Sequence, residues 1–452
     1  MSTFRHAVVG LLVLSSAALA GQAAAASESV IYSFSGLSGT NPLWELVIDS
    51  QGQLYGTTIG SGNTHKYDIA FRLTPPAGGT GDWTETTLYA FTTGGHGRAM
   101  GALLPNGSGG FYGPDGQDGG SGKLECSTAK IPICGIMIEL TPPTTGTIWK
   151  YTAIYNFPES TTAPSVIYNA APIADSKGSL YDTSFDGGGA GGGAGTAFEL
   201  IHPAPHKTKW TEATLYSFCS QVNCTDGRGA GSALVADSSG ALYGTTTYGG
   251  NIACPSGGGG VDGCGVVFML TPPAVPGGAW TETVIHAFAG AAAGGDGALP
   301  QYGLTIDGQG NLYGSTSYGG DTSCSLVASQ GGCGTVFELS PPAIAGNPWT
   351  ETVLYAFTTP DEPSSGVIRD ASGNLYGETF VGGDASLGTV YELTPPGGGG
   401  SWTETVLNEF GHGTDGALPG GGLTFGLDGT TLYGTTNLGG SIGAGTAFQI
   451  TQ

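Results

Sequence analysis

Three carboxylates break an otherwise regular run of glycine and hydroxyl residues in this chain. Asp115, Asp182 and Glu378 stand where sister segments carry glycine, serine or threonine, and Asp118 and Asp186 follow the first two closely. Carboxylates gathered on one face supply the several oxygen ligands that Ca²⁺ takes, or the acid and base that act on a glycosidic bond. His96 and His412 lie in the glycine-rich stretches Gly94-Gly95-His96-Gly97 and Gly411-His412-Gly413, where an imidazole can serve as base or metal ligand. Tyr248 and Tyr318, with Phe185 and Phe380, offer aromatic faces to a sugar ring. A second set of acids, Asp226, Asp296, Asp361 and Asp415, reads differently. Asp296-Gly297-Ala298-Leu299-Pro300 and Asp415-Gly416-Ala417-Leu418-Pro419 are near copies, which marks those two acids as turn formers. No G-x-S-x-G elbow, H-E-x-x-H helix or phosphate loop is present.

What positions these residues is a repeat. Leu54-Tyr55-Gly56, Phe111-Tyr112-Gly113, Leu180-Tyr181-Asp182, Leu242-Tyr243-Gly244, Leu312-Tyr313-Gly314, Leu375-Tyr376-Gly377 and Leu432-Tyr433-Gly434 recur at intervals of 57 (Tyr55 to Tyr112) to 70 residues (Tyr243 to Tyr313). Each unit reads as four short strands. In the fifth, Leu304-Thr305-Ile306-Asp307, Leu312 to Thr316, Gly334 to Leu339 and Trp349 to Phe357 alternate as strands, and Pro341-Pro342 ends the third. The first two strands are joined by D-x-x-G turns at Asp49, Asp175, Asp237 and Asp370, with Asn106 in the second unit; Asp caps the turn and Gly supplies positive φ. Trp83, Trp149, Trp210, Trp280 and Trp402 recur at the start of the fourth strand, as packing between repeats requires. Four antiparallel strands per unit, seven times over, predict an all-β, seven-bladed β-propeller.

The ends predict how the ring closes. The last unit stops after its third strand at Gly445 to Ile450, while Glu28-Ser29-Val30-Ile31-Tyr32-Ser33-Phe34 matches the fourth strand Glu351 to Phe357. The N-terminal strand is therefore expected to complete the seventh blade, leaving no open edge.

The chain has 85 glycines and 26 prolines, but its 39% hydrophobic fraction suits turn-rich β structure rather than disorder. Arg5 and His6 precede an apolar stretch from Ala7 to Leu14, which reads as a secretory signal cleaved after Ala20 or Ala26, with residues 27–452 forming one domain. The apolar run is too short to span a bilayer, and no transmembrane segment follows. Eight cysteines in four close pairs, Cys126/Cys134, Cys219/Cys224, Cys254/Cys264 and Cys324/Cys333, favour local disulfides in an exported protein. None has zinc-site spacing. A net charge of −23 argues against nucleic acid, which needs clustered Lys and Arg.

The consensus D-x-x-G-N-L-Y-G-T-T-x-x-G-G followed by G-T-V-F-E-L-T, best seen in Asp307 to Gly320 with Gly334 to Leu339 and in Asp370 to Gly383 with Gly388 to Thr394, resembles the GloVer tandem repeat. That repeat occurs in secreted bacterial choice-of-anchor proteins. The resemblance implies repeat architecture and export, and no reaction. The long cysteine-bearing loops of blades two, four and five are expected to form a rigid binding rim. The functional expectation is a monomeric, secreted or periplasmic, non-catalytic propeller that binds a glycan or cell-surface protein through blades two to five, with Ca²⁺ as a possible ligand. The alternative is a polysaccharide lyase or glycoside hydrolase with its carboxylates or histidines near the channel mouth.

Overall fold

In a computed structural model, the structure describes residues 26–35, 39–60, 68–79, 81–91, 101–115, 135–157, 164–165, 170–188, 194–252, 254, 263–275, 277–291, 294–324, 331–344 and 346–452. These form seven four-stranded antiparallel blades in a propeller ring. The fifth blade shows the plan: Thr305–Ile306 lines the axis, followed outward by Leu312–Thr316, Thr335–Ser340 and Thr350–Ala356. Short accessory pairs, Pro164–Ser165 with Asp186–Gly187 and Gly297–Ala298 with Tyr318–Gly319, decorate blades three and five. Among the described residues no helix is long and apolar enough to cross a membrane.

The ring closes as the sequence predicts. Ser27–Ser33 pairs antiparallel with Thr446–Thr451, from Ser27 opposite Thr451 to Ser33 opposite Thr446. A bulge between Val30 and Tyr32 repeats the register shift found between the third and fourth strands of the other blades, as at Val336/Phe337 and Val390/Tyr391. The fourth strand then ends on a buried phenylalanine whose N–H binds a glycine carbonyl: Phe34 to Gly445, Phe218 to Gly195, Phe357 to Gly334. Residue for residue, the N-terminal segment is a fourth strand.

The repeated tyrosine ties turns to blades. Its hydroxyl donates to the D-x-x-G aspartate of its own blade, at 3.0 Å for Tyr55–Asp49 and Tyr243–Asp237 and at 3.2 Å for Tyr313–Asp307. Its ring receives the fourth-strand tryptophan of the next blade, with centroids 5.8 Å apart for Trp210 on Tyr112, 6.2 Å for Trp280 on Tyr181 and 5.9 Å for Trp349 on Tyr243. Trp83 of the first blade packs in this way on Tyr433 of the seventh, at 5.8 Å, so the same contact runs across the closure. The tryptophans are packing residues.

Three expected disulfides form: Cys219–Cys224, Cys254–Cys264 and Cys324–Cys333, with Cα atoms 4.0, 5.7 and 5.7 Å apart. Cys126 and Cys134 lie outside the described residues, as does the expected signal segment.

Candidate functional site

The second strand of each blade is buried on both faces, between its neighbours; in Leu312–Thr316 and Leu375–Thr379 every residue is buried. This placement decides the fate of the three irregular acids, because all three sit within such strands and none on the rim.

The fourth residue of the second strand normally carries a hydroxyl that donates to a backbone carbonyl of the next blade, three residues before its first strand. Thr57 binds Gly101 O at 3.1 Å, Thr183 binds Ser232 O at 2.9 Å, Thr245 binds Tyr302 O at 3.2 Å and Ser315 binds Ser365 O at 2.6 Å. Pro114 breaks the series in blade two, and Glu378 replaces the hydroxyl in blade six. Being longer and an acceptor, Glu378 takes the N–H of Gly422 instead, at 2.9 Å through Oε2. Its Oε1 is buried with no partner among the described residues. Burial, which outweighs the Gly422 bond, raises its pKa to about 8, and the nearby charge of Glu45 adds to the rise.

Asp115 occupies the fifth position, where Ser184, Thr316, Thr379 and Thr436 bind a third-strand threonine hydroxyl at 2.8 Å. It is fully buried and accepts the Tyr151 hydroxyl at 3.0 Å. Asp182 stands in the glycine position, where a Cβ would press on a third-strand ring and a leucine: at Gly314, Phe337 Cζ would lie 2.6 Å and Leu304 Cδ2 2.8 Å away. Blade three makes room by placing Pro172 where its sisters have Leu46, Leu103, Leu234 or Leu304. The buried Asp182 accepts the N–H of Thr183 at 2.8 Å, and burial lifts its pKa well above the ordinary carboxylate range. Asp182 and Pro172 are thus a coupled pair. Asp182→Gly alone and Pro172→Leu alone should each destabilise, by about 1–3 kcal/mol. The double variant should recover most of that loss; additive losses in a denaturant double-mutant cycle would contradict the pairing.

The other expected site residues are dispersed. Asp186 is half-buried, its pKa raised by burial against the opposing pull of Arg228. Tyr248 lies along Gly229. Tyr318 donates to Glu362 Oε1 at 3.1 Å, beside the channel. His412 is exposed in a turn where its N–H binds Asp415 at 3.1 Å. His96 and Asp118 lie outside the described residues. Among the described residues no three His, Cys, Asp or Glu side chains cluster as a metal would require.

The concave feature lies on the axis. Segments leading into the first strands enclose a cavity of about 390 Å³. Two residues before each first strand, the chain places Glu45, Ala102, Ala171, Ala233, Gly303, Gly366 and Gly422, and all seven line the cavity. Six are alanine or glycine because the segments converge: a Cβ on Gly303 would lie 3.1 Å from Ala233 Cβ, and one on Gly366 would lie 2.6 Å from Gly303 O. Glu45 is the exception. Its side chain is exposed to the channel, and the protein packed around the channel raises its pKa above the ordinary glutamate value. Trp44 and Tyr302 line the cavity one residue earlier in their segments, and Gln301 sits beside Tyr302 with its amide on Ser317 Oγ at 3.2 Å. Trp44 Nε1 is buried without a partner among the described residues. Burial pushes the Tyr302 hydroxyl up to about 12. Among the described residues no Lys, Arg or His lines the cavity. Glu45, Trp44 and Tyr302 are absent from the sequence expectations; aligning the units on their first strands exposes Glu45 as the one charged residue in its column.

No model of a known protein family matches the chain, and no curated protein sequence does either. Solved structures similar to it include an α-L-arabinanase from Penicillium chrysogenum complexed with arabinobiose (12% identity, TM-score 0.45, covering 84% of this chain and 98% of that one). They also include PorZ, a surface component of the type-IX secretion system of Porphyromonas gingivalis (13%, 0.48, 90% and 46%), and a microbial sialidase (12%, 0.41, 91% and 66%). At these identities the likeness is one of fold.

Proposed function

We propose that this chain is an exported, GloVer-type propeller, with a cleaved N-terminal signal, that binds a glycan at its central channel. One observation carries the reading. An axial cavity of about 390 Å³, walled by small and aliphatic residues, presents two aromatic rings, a carboxyl and an amide, from Trp44, Tyr302, Glu45 and Gln301, beside the hydroxyl residues Ser232, Thr305 and Ser365. Its volume falls within the range of small-molecule sites, about 300–1,000 Å³. Indole and phenol faces suit the C–H faces of a sugar, while a carboxyl, an amide and a phenol hydroxyl suit its hydroxyls. The net charge of −23 disfavours anionic sugars.

A glycan array followed by calorimetry on the hits tests this. Trp44→Ala and Tyr302→Ala should each weaken binding about 10-fold or more, the scale of losing a buried aromatic contact. Hits that both variants bind as the parent does would place the site elsewhere. Cleavage is a second reading, favoured by Glu45, a carboxyl facing the cavity with its pKa raised toward that of a general acid. Reducing ends accumulating during incubation with a bound oligosaccharide, and lost in Glu45→Gln, would establish it.

A further inference from the structure

Resting on that reading, we infer that the channel selects saccharides bearing a protonated amine, such as oligomers of glucosamine, over their neutral or acetylated counterparts. Seven equivalent positions form a column at the channel wall. Six hold alanine or glycine, so Glu45 is a departure from the repeat and is not demanded by it. Neither of the structural jobs found for other acids applies: Glu45 caps no D-x-x-G turn, and it stands outside the buried second strands.

Its surroundings are those of an ammonium site. Trp44 and Tyr302 face the same cavity, and indole and phenol rings attract cations through their quadrupoles. No basic side chain among the lining residues competes for the carboxylate. Behind the wall, Glu378 adds a second carboxyl. It is wholly buried, holds the N–H of Gly422 at 2.9 Å, and leaves Oε1 without a partner among the described residues. Gly422 separates the two acids: a Cβ on it would lie 3.8 Å from Glu45 Cβ. The charge of Glu45 makes ionisation of Glu378 costlier, and an ammonium group in the cavity offsets that repulsion. A neutral hydroxyl does not. Glu362, which accepts the Tyr318 hydroxyl at 3.1 Å, is close enough to act electrostatically on Tyr302 and adds negative potential there.

The test is calorimetric titration at about pH 6.5, where a glucosamine tetramer is largely cationic, against the N-acetylglucosamine tetramer and cellotetraose. The parent protein is expected to prefer the amino tetramer by at least about tenfold, an increment of about 1.4 kcal/mol. Glu45→Gln, checked for an unchanged melting temperature, should weaken binding of the amino tetramer at least about tenfold more than it weakens binding of the neutral tetramers, which erases the preference. Trp44→Phe keeps a ring and should retain part of the preference. Equal affinity for amino and neutral tetramers, or a preference that survives Glu45→Gln, overturns the inference while leaving glycan binding intact. Failure of all three tetramers, and of every glycan on the array, overturns both.

Discussion

A chain lacking residues 27–35 is expected to lose cooperative folding and to aggregate. The deletion removes the fourth strand of the seventh blade and leaves Thr446–Thr451 as a naked edge, a template for pairing with other chains. It also removes Phe34, fully buried, whose ring meets Phe71 of blade one at 5.0 Å. Ile31 joins the same cluster with Leu46 and Leu54, so the N-terminal strand clips the seventh blade to the first. Phe34→Ala alone should cost about 3–5 kcal/mol, a large share of a typical stability of about 5–15 kcal/mol. Size-exclusion chromatography and a circular-dichroism melt of both variants check this. A monomeric deletion variant with the parent's melting curve would mean that the ring does not need its closing strand.

The second large effect is a stability that falls as pH rises. Burial raises the carboxyls of Glu28 and Glu282 to about 7 and that of Glu378 to about 8. Outside the channel the pattern follows the repeat: a fourth-strand glutamate lies close to the aspartate of the link into its own blade. Glu28 feels Asp415, Glu282 feels Asp226, Glu351 feels Asp296 and Glu404 feels Asp361. The fourth-strand tyrosine or histidine of the preceding blade reaches between them. Tyr216 donates to Asp226 at 2.8 Å, Tyr355 donates to Glu404 at 2.6 Å and His286 stands 3.4 Å from Asp296.

Each raised carboxyl holds its proton more tightly in the folded protein than in the unfolded chain. Its contribution is therefore complete below the unfolded pKa of about 4.5 and is lost as pH climbs through about 7 to 8. Between about pH 5 and pH 8, Glu378 alone accounts for a loss on the order of 3 kcal/mol; the half-exposed Glu28 and Glu282 add less because solvent screens them. The melting temperature should thus peak near about pH 5 and fall by at least several degrees toward pH 8. Glu378→Gln should flatten that slope and melt higher than the parent at pH 8. A melting temperature that rises from pH 5 to pH 8 would refute the protonation of these groups in the folded state.

The scaffold was legible because the repeat writes each blade seven times, so that turn aspartates, tyrosines and tryptophans cross-check one another. Closure was legible for the same reason: Glu28 to Phe34 copies Glu351 to Phe357. The burial of the acids was less legible, because an isolated strand shows every second side chain to solvent. In a propeller the second strand is covered on both faces, so Asp115, Asp182 and Glu378 became interior residues whatever their parity. Glu45 escaped notice because the segment before each first strand carries no shared motif. Its importance lies in the smallness of its six equivalents, which only the convergence of the segments on the axis explains.

The central claim is that the axial channel is the binding site, and Ala171→Trp tests it most directly. Ala171 lines the channel, and an indole there fills the passage while leaving Trp44, Glu45 and Tyr302 untouched. Oligosaccharide affinity of the variant, its fold checked by circular dichroism, should fall at least about tenfold by calorimetry. A plugged protein that binds as tightly as the parent would contradict the channel site.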